Sequence, residues 1–472
     1  MLPVNPTENV TPDSLRAFLG QCCALARDAG RPQLVSISLA VDHLDPLAVL
    51  ESIFEPSELH FYAERPAQGF AVAGAEAVLE FSASGPGRFA AARDHIARVL
   101  ADTIAVGPVD EPFAGPHFFF ANSFAHAAPP DAPFPALRLF VPRWQVARMG
   151  DSTVAVANLV LTADAPVDLI AAKVWKAHAK FRAFDYRSAR RKDRPSAPKQ
   201  AEEIGGEGSY QRAVKQALQE IARGDYRKVV LARARQLTTT EEFHPLGVLN
   251  HLRQHYPACY AFSIANGRGQ SFIGASPERL VRVAGGRMHT EALAGSAPRG
   301  DSASEDAAFA RALLTSEKDQ REHRLVLESI ARRVADLGLN LEHAGQPRVL
   351  GLANVQHLHL PISATLPPGV HILDLLARLH PTPAVGGTPR EPAVAAIARL
   401  ESFARGLYAG PHGWVDHRGG GEFFVGIRSA LVDGHTATVY AGAGIVAGSS
   451  PEKEFAETEL KFKALIEALT TT

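Results

Sequence analysis

Cysteine is scarce in this chain. Cys22, Cys23 and Cys259 are the only 3 in 472 residues, too few and too scattered for a disulfide framework or a zinc site. Net charge is nearly absent as well. Lys and Arg number 49 against 50 Asp and Glu, a formal net charge of −1, which removes any global electrostatic argument for nucleic-acid or membrane-surface binding. No apolar run approaches a membrane span. The N-terminal MLPVNPTENVTPDSLRAFL has neither a basic head nor an apolar signal core. These absences point to a soluble cytoplasmic protein without nucleic-acid or membrane partners. The length is enough for a large core and sets a soft expectation of two or three domains.

The first part of the chain mixes strand and helix signals. Thr11-Pro12-Asp13 opens a helix with Leu15, Phe18, Leu19 and Cys22 at helical spacing. Strand patterns fall at 34–41, 58–62, 68–79, 137–146 and 154–161, and helical ones at 90–100 and 167–182. The aromatic PHFFFANSFA at 116–125 predicts a core strand and its turn. A boundary follows at 187–208, where Arg187, Arg190, Arg191, Lys192, Arg194 and Lys199 precede Gly205-Gly206-Glu207-Gly208. Without interleaved aromatics beyond Tyr186, this basic run reads as a solvated linker rather than a nucleic-acid contact. The expected division is an N-terminal α+β region over 1–205 ending in this linker, and a second region over 206–472, packed together as one globular unit.

Beyond the boundary, Ser209 is expected to cap a helix running to Arg223, before a strand at Lys228-Val229-Val230-Leu231-Ala232-Arg233. A hairpin is expected around Asn266-Gly267-Arg268-Gly269, and a long helix at 316–337. The pattern also predicts one strand over 349–360, helices at 372–379 and 399–404, and paired strands at 408–415 and 422–432. Hairpins dominate, so the fold class is α+β, with large, mostly antiparallel sheets covered by helices.

The richest stretch is TVYAGAGIVAGSSPEKEFAETELKFK at 438–463. Gly442 and Gly444 stand where a strand should end, which lets a ligand approach the backbone. Ser449-Ser450-Pro451 then starts a helix. Glu454 and Glu457 share its face, with Lys461 one turn further. Two carboxylates there suit a hard cation such as Mg²⁺, although acidic residues also gather at helix N-termini to complement the dipole.

Other residues invite two readings each. Lys228, in an apolar strand, either snorkels to water or is desolvated into a base. Glu278 follows a Ser-Pro turn and is either exposed or aimed into a cleft. Glu322 has Lys318 four residues before it, an ordinary surface pair. His357 could equally be a satisfied core histidine, and Arg428 wants an anionic partner. Gly420-Gly421-Glu422-Phe423 spells a diguanylate-cyclase signature, but it leads into a strand bearing Arg428 and reads as an ordinary glycine hairpin.

Taken together, the motifs are far more specific than their parts. KVVLAR at Lys228, GASPERL at Glu278, EALAGSAPRG, EKDQREH at Glu322, VQHL at His357, HPTPAVGG, IRSA at Arg428, AGAGIV and SSPEKEFAETELK occur in this order. The set resembles the chorismate-binding enzyme family over residues 209–465, and within it the isochorismate synthases. PFAGPHFFFANSF and FVPRW extend the likeness to the N-terminal half.

The resemblance implies an anthranilate synthase component I-like fold and a Mg²⁺-dependent isomerisation of chorismate. Lys228 would be the base that activates water for attack at C2, and Glu278 the acid that protonates the departing C4 hydroxyl. Glu322, Glu454 and Glu457 would hold Mg²⁺. His357, Tyr408, Arg428, the backbone at Gly442 and Lys461 would bind the carboxylates and ring. Such a base must fall from about 10.4 to roughly 7–8, and the acid must sit in a drier place than the metal carboxylates. The expected enzyme is a monomer whose product feeds menaquinone or catechol siderophores. No glutaminase partner is expected, because the ammonia-using relatives lack a lysine at the position of Lys228. Salicylate synthases share that lysine, Tyr408 and Arg428, and remain the enzyme alternative. A non-catalytic chorismate-binding protein is the alternative of another class.

Overall fold

The computed structural model describes residues 5–8, 10–53, 55–184, 186, 198, 200–351 and 355–471. Its organising element is a pair of long strands, Phe70–Ala83 and Leu137–Met149, paired along their whole length. Midway the pairing slips between Ala77 and Leu79, beside Glu76 at φ 58 and opposite Pro142. Proline cannot donate to the ladder, and a bulge bends the strand that carries the extra residue. From this kinked pair the ladder divides into two arms.

One arm runs from Leu59–Arg65 through Tyr260–Asn266, Gln270–Ser276, Ser429–Asp433 and Thr436–Val446 to Lys228–Thr238. The other runs from His117–Asn122 through Pro411–Asp416, Gly421–Val425, Arg279–Ala284 and Arg287–Pro298 to Val355–Thr365. Among the described residues all strand pairings are antiparallel except that of Gln33–Ala40 with Ile104–Val106. Aromatic rings join the inner faces of the arms. Phe61 stacks on Phe119 at 4.7 Å, and Phe262 meets Phe424 at 5.0 Å.

Helices Pro46–Ile53, Pro245–His255 and Pro451–Thr471 bury Leu50, Leu249 and Leu465 against the outer face of the first arm. Glu317–Val334 and Ile372–Leu379 cover the second with Val326, Ile330, Leu373 and Leu376. The α+β architecture with antiparallel sheets under helices is therefore as the sequence implied.

Several local expectations are corrected. The 349–360 segment falls in two strands, not one: Arg348–Gly351 pairs antiparallel with Val355–Thr365. The 422–432 strand is interrupted at Gly426–Arg428, where Arg428 takes a left-handed φ of 51, and its two halves pair in different arms. Helix Arg390–Leu400 replaces the piece expected at 399–404. Gly208, not Ser209, is the N-cap of Ser209–Arg223, and it makes no side-chain cap bond. Helix Ala303–Thr315 was not foreseen, although Ser302 and Glu305 carry the S-x-x-E signal and the Ser302 hydroxyl accepts from the Glu305 N–H.

The basic residues Arg187, Arg190, Arg191, Lys192, Arg194 and Lys199 lie outside the described residues. Just after them, Gln200–Glu203 forms a strand on Lys228–Thr238, and Glu203 pairs with Arg233 at 2.6 Å. That end of the expected linker is part of the sheet. The Gly420-Gly421-Glu422-Phe423 signature is the start of a hairpin strand, with Glu422 buried and paired to Arg279 at 2.9 Å.

Candidate active site

A cavity of about 120 Å³ opens where the end strands of the two arms face each other beneath helices Glu317–Val334 and Pro451–Thr471. It gathers residues that the sequence scatters over more than 230 positions. Lys228, Glu278, Glu322 and His357 line it, as do Tyr408, Arg428, Gly442, Glu457 and Lys461. Glu454 alone among the expected residues does not line it. It sits one turn earlier on the same helix, buried and hydrogen-bonded to Ser449.

Lys228 opens its strand but does not snorkel, being only 2 % exposed. Its Nζ donates to Glu322 Oε1 at 2.6 Å. The strand opposite supplies the room: a Cβ on Gly444 would stand 3.1 Å from Lys228 Cε. Glu322 thus pairs across the cavity with Lys228 instead of along its own helix with Lys318. Burial pushes its carboxyl up, but Lys228, with Lys318 and Lys461 behind it, carries it below the usual range.

Glu278 has the contrary setting. Its carboxyl is buried, and among the described residues its one hydrogen-bond donor is the Thr382 hydroxyl, which reaches Oε1 at 3.4 Å. Burial, reinforced by nearby Glu291, raises it to about 7. A carboxyl so placed holds or yields a proton near neutrality. Glu454 is also raised, by burial and by nearby Glu457, against the pull of Ser449.

The remaining wall is made of polar groups fixed by their neighbours. Lys461 Nζ donates to the Gly442 carbonyl at 2.8 Å and to Glu457 Oε1 at 2.7 Å, so three of the expected residues form one unit. Tyr408 stacks on Tyr440 at 5.2 Å, and a Cβ on Gly442 would come 2.9 Å from its hydroxyl. His357 Nδ1 lies 3.2 Å from the Gly295 carbonyl and 2.9 Å from Ser296 Oγ. A carbonyl only accepts, which assigns the hydrogen to Nδ1. Nε2, buried without a partner among the described residues, is left as an acceptor. Burial lowers the ring to about 3, so it is neutral.

Sequence reasoning missed Arg405. It lines the cavity and is fully held: Glu401 accepts from it at 2.6 Å, as do the Val230 and Val385 carbonyls at 2.8 Å. The i, i+4 spacing of Glu401 and Arg405 in an otherwise apolar stretch was the available signal. Ser296 lay within EALAGSAPRG but was not singled out. Among the described residues no group of three or more His, Cys, Asp or Glu is gathered to hold a metal by itself. No helix among them is long and apolar enough to cross a membrane.

The arrangement offers a buried lysine from a strand and a buried carboxyl from the short connection between two others, with cationic groups and carboxylates around them. That is the equipment for acid–base chemistry on a small anionic ligand. Comparison with known proteins agrees. The model of the chorismate binding enzyme family matches residues 17–470. The salicylate biosynthesis isochorismate synthase of Pseudomonas aeruginosa is 35% identical over 466 residues, 97% of this chain and 94% of that one. The isochorismate synthase MenF of Bacillus subtilis is 40% identical over 269 residues, 57% of each chain. The structure of the menaquinone-specific isochorismate synthase MenF of Escherichia coli superposes with a TM-score of 0.78 at 26% identity, covering 96% of this chain and 99% of that one. The protein is a member of the chorismate-binding enzyme family.

Proposed function

We propose that the protein is an isochorismate synthase, adding water at C2 of chorismate and releasing the C4 hydroxyl. The observation that carries this reading is the pairing of unlike buried groups in one cavity: Lys228, and Glu278 raised to about 7. Attack and departure occur at different ring carbons and so need a base and an acid from different places. Lys228 takes the proton from water. Glu278 gives its proton to the leaving hydroxyl. Arg428 and Lys461 meet the substrate carboxylates, and Tyr408 borders the ring. His357 Nε2, an acceptor, suits a ring hydroxyl better than a carboxylate.

Glu322, Glu454 and Glu457 are hard oxygen donors of the kind Mg²⁺ takes, and the crowding of Glu454 by Glu457 is a like-charge arrangement that a cation relieves. They would hold Mg²⁺, with water and substrate oxygens completing its shell. When bound, the ion supplies positive charge to a substrate carboxylate. Water is the nucleophile, so no glutaminase subunit is required. The product would enter menaquinone or catechol siderophore formation, and the quinone and siderophore profiles of a deletion strain separate the two.

The decisive experiment is purified protein with chorismate and Mg²⁺. Water exchange is reversible, so chorismate and isochorismate should approach a mixture. Stoichiometric pyruvate with fluorescent salicylate would assign the chain to the salicylate-forming branch instead. Chorismate binding without any turnover would make it a binding protein.

A further inference from the structure

We propose that Glu291 is a positioning residue for Glu278: it clamps the peptide behind the acid and places a fixed, buried negative charge against it. The inference rests on the reading of Glu278 as general acid. Glu291 lies on Arg287–Pro298, with its side chain 8% exposed. Its Oε1 accepts the backbone N–H of Arg279, the residue immediately after Glu278, at 3.0 Å. Its Oε2 meets His359 Nε2 at 2.8 Å, from the neighbouring strand. On the other side, the Val425 N–H donates to the Glu278 carbonyl at 3.0 Å. The Glu278–Arg279 peptide is therefore held between two strands.

The two carboxyls share one buried region but not its donors. Glu291 has a backbone N–H and an imidazole, with Arg279 and Arg65 adding positive field. Glu278 faces Lys228, Thr382, Tyr408 and Glu291, and receives one long hydroxyl contact. Two close carboxyls in a dry site do not both ionise readily. The better-solvated one keeps the charge, and its partner keeps the proton. Burial pushes Glu291 up, but His359 and the arginines carry it below the usual range. The pair is thus divided into a charged anchor and a protonated acid.

The test is the titration of Glu278 itself, followed by its protonated-carboxyl infrared band, identified as the band lost in Glu278→Gln, together with the pH profile of kcat from pH 5 to 9. Glu291→Gln keeps an acceptor for the Arg279 N–H but removes the charge. His359→Phe removes the donor that stabilises that charge. Both should move the band midpoint and the alkaline limb of kcat to lower pH by about one unit, with KM little changed. An unmoved midpoint and limb in either folded variant, with activity scaled equally at every pH, overturns the proposal. Should the band move while Glu278→Gln still turns over normally, the placement of charge by Glu291 stands and the acid role of Glu278 falls.

Discussion

At the scale of single residues, Lys228 and Glu278 are both buried but unequally supplied with partners. Lys228→Ala and Glu278→Ala should each lower turnover by about 10²–10⁴ with the fold retained, the usual span for a lost base or acid. Near-normal rates under saturating Mg²⁺ would remove the assigned role. Glu278 also taxes the fold. Its folded value of about 7 lies above the roughly 4.3 of a free glutamate. Between those values the folded state binds more protons than the unfolded one, so the group costs stability as pH rises through that window. Glu278→Gln should therefore melt several degrees above the parent at pH 8, and the gap should close near pH 4. Paired melting curves decide it, and a constant gap at both pH values would contradict the buried, raised carboxyl.

At the scale of elements, the strand Thr436–Val446 and the helix after it deliver Gly442, Gly444, Glu457 and Lys461 to the site. Gly444 lies against the lysine, so Gly444→Ala puts a methyl 3.1 Å from Lys228 Cε and 3.5 Å from Nζ. Displacing a catalytic group by a fraction of an ångström is costly. We expect kcat to fall by about tenfold, with KM and melting temperature near parental; unchanged kcat would show that the lysine has room to spare. Helix Pro451–Thr471 carries Glu457 to the cavity that Glu322 also lines, with Glu454 one turn before it; on the proposed Mg²⁺ role, turnover should vanish in excess chelator and return with Mg²⁺. Full activity in chelator would exclude the metal. This stretch was legible in advance because glycines, a Ser-Pro helix start and i, i+3 carboxylates are all local signals. Arg428 was legible as a residue but not as a bend, because its left-handed backbone is set by two strands that leave for different arms. The pairings of Lys228 with Glu322 and of Glu291 with Arg279 and His359 were illegible for the same reason: partners chosen by tertiary packing leave no trace in spacing. The exposed helix Ala303–Thr315, with Leu313 its one buried residue, lacked the apolar stripe by which helices are read.

At the scale of the molecule, the two halves of the sequence are woven together. Leu59–Arg65 pairs with Tyr260–Asn266, and His117–Asn122 with Pro411–Asp416. A charged cluster reinforces the seam: Arg253 holds Asp45 at 2.8 Å and Glu64 at 3.2 Å, and Glu64 also accepts from Tyr62. Arg253→Ala leaves Glu64, only 4% exposed, with Arg148 at 3.3 Å and the Tyr62 hydroxyl, and should cost about 2 kcal/mol, the scale of a lost hydrogen bond to a charged group. Chemical denaturation would measure it, and a loss below about 1 kcal/mol would class the cluster with ordinary surface pairs. The weave also has a consequence in time. Asn122 leaves the ribosome 290 residues ahead of His412, beside which it must settle. At about 5–20 residues per second, its strand waits roughly 15–60 s for a partner. Through that interval the aromatic run His117–Asn122 has an unfilled edge, the kind on which strands from other chains can add. Production of the protein should therefore depend on chaperones and on the pace of translation more than its folded stability suggests.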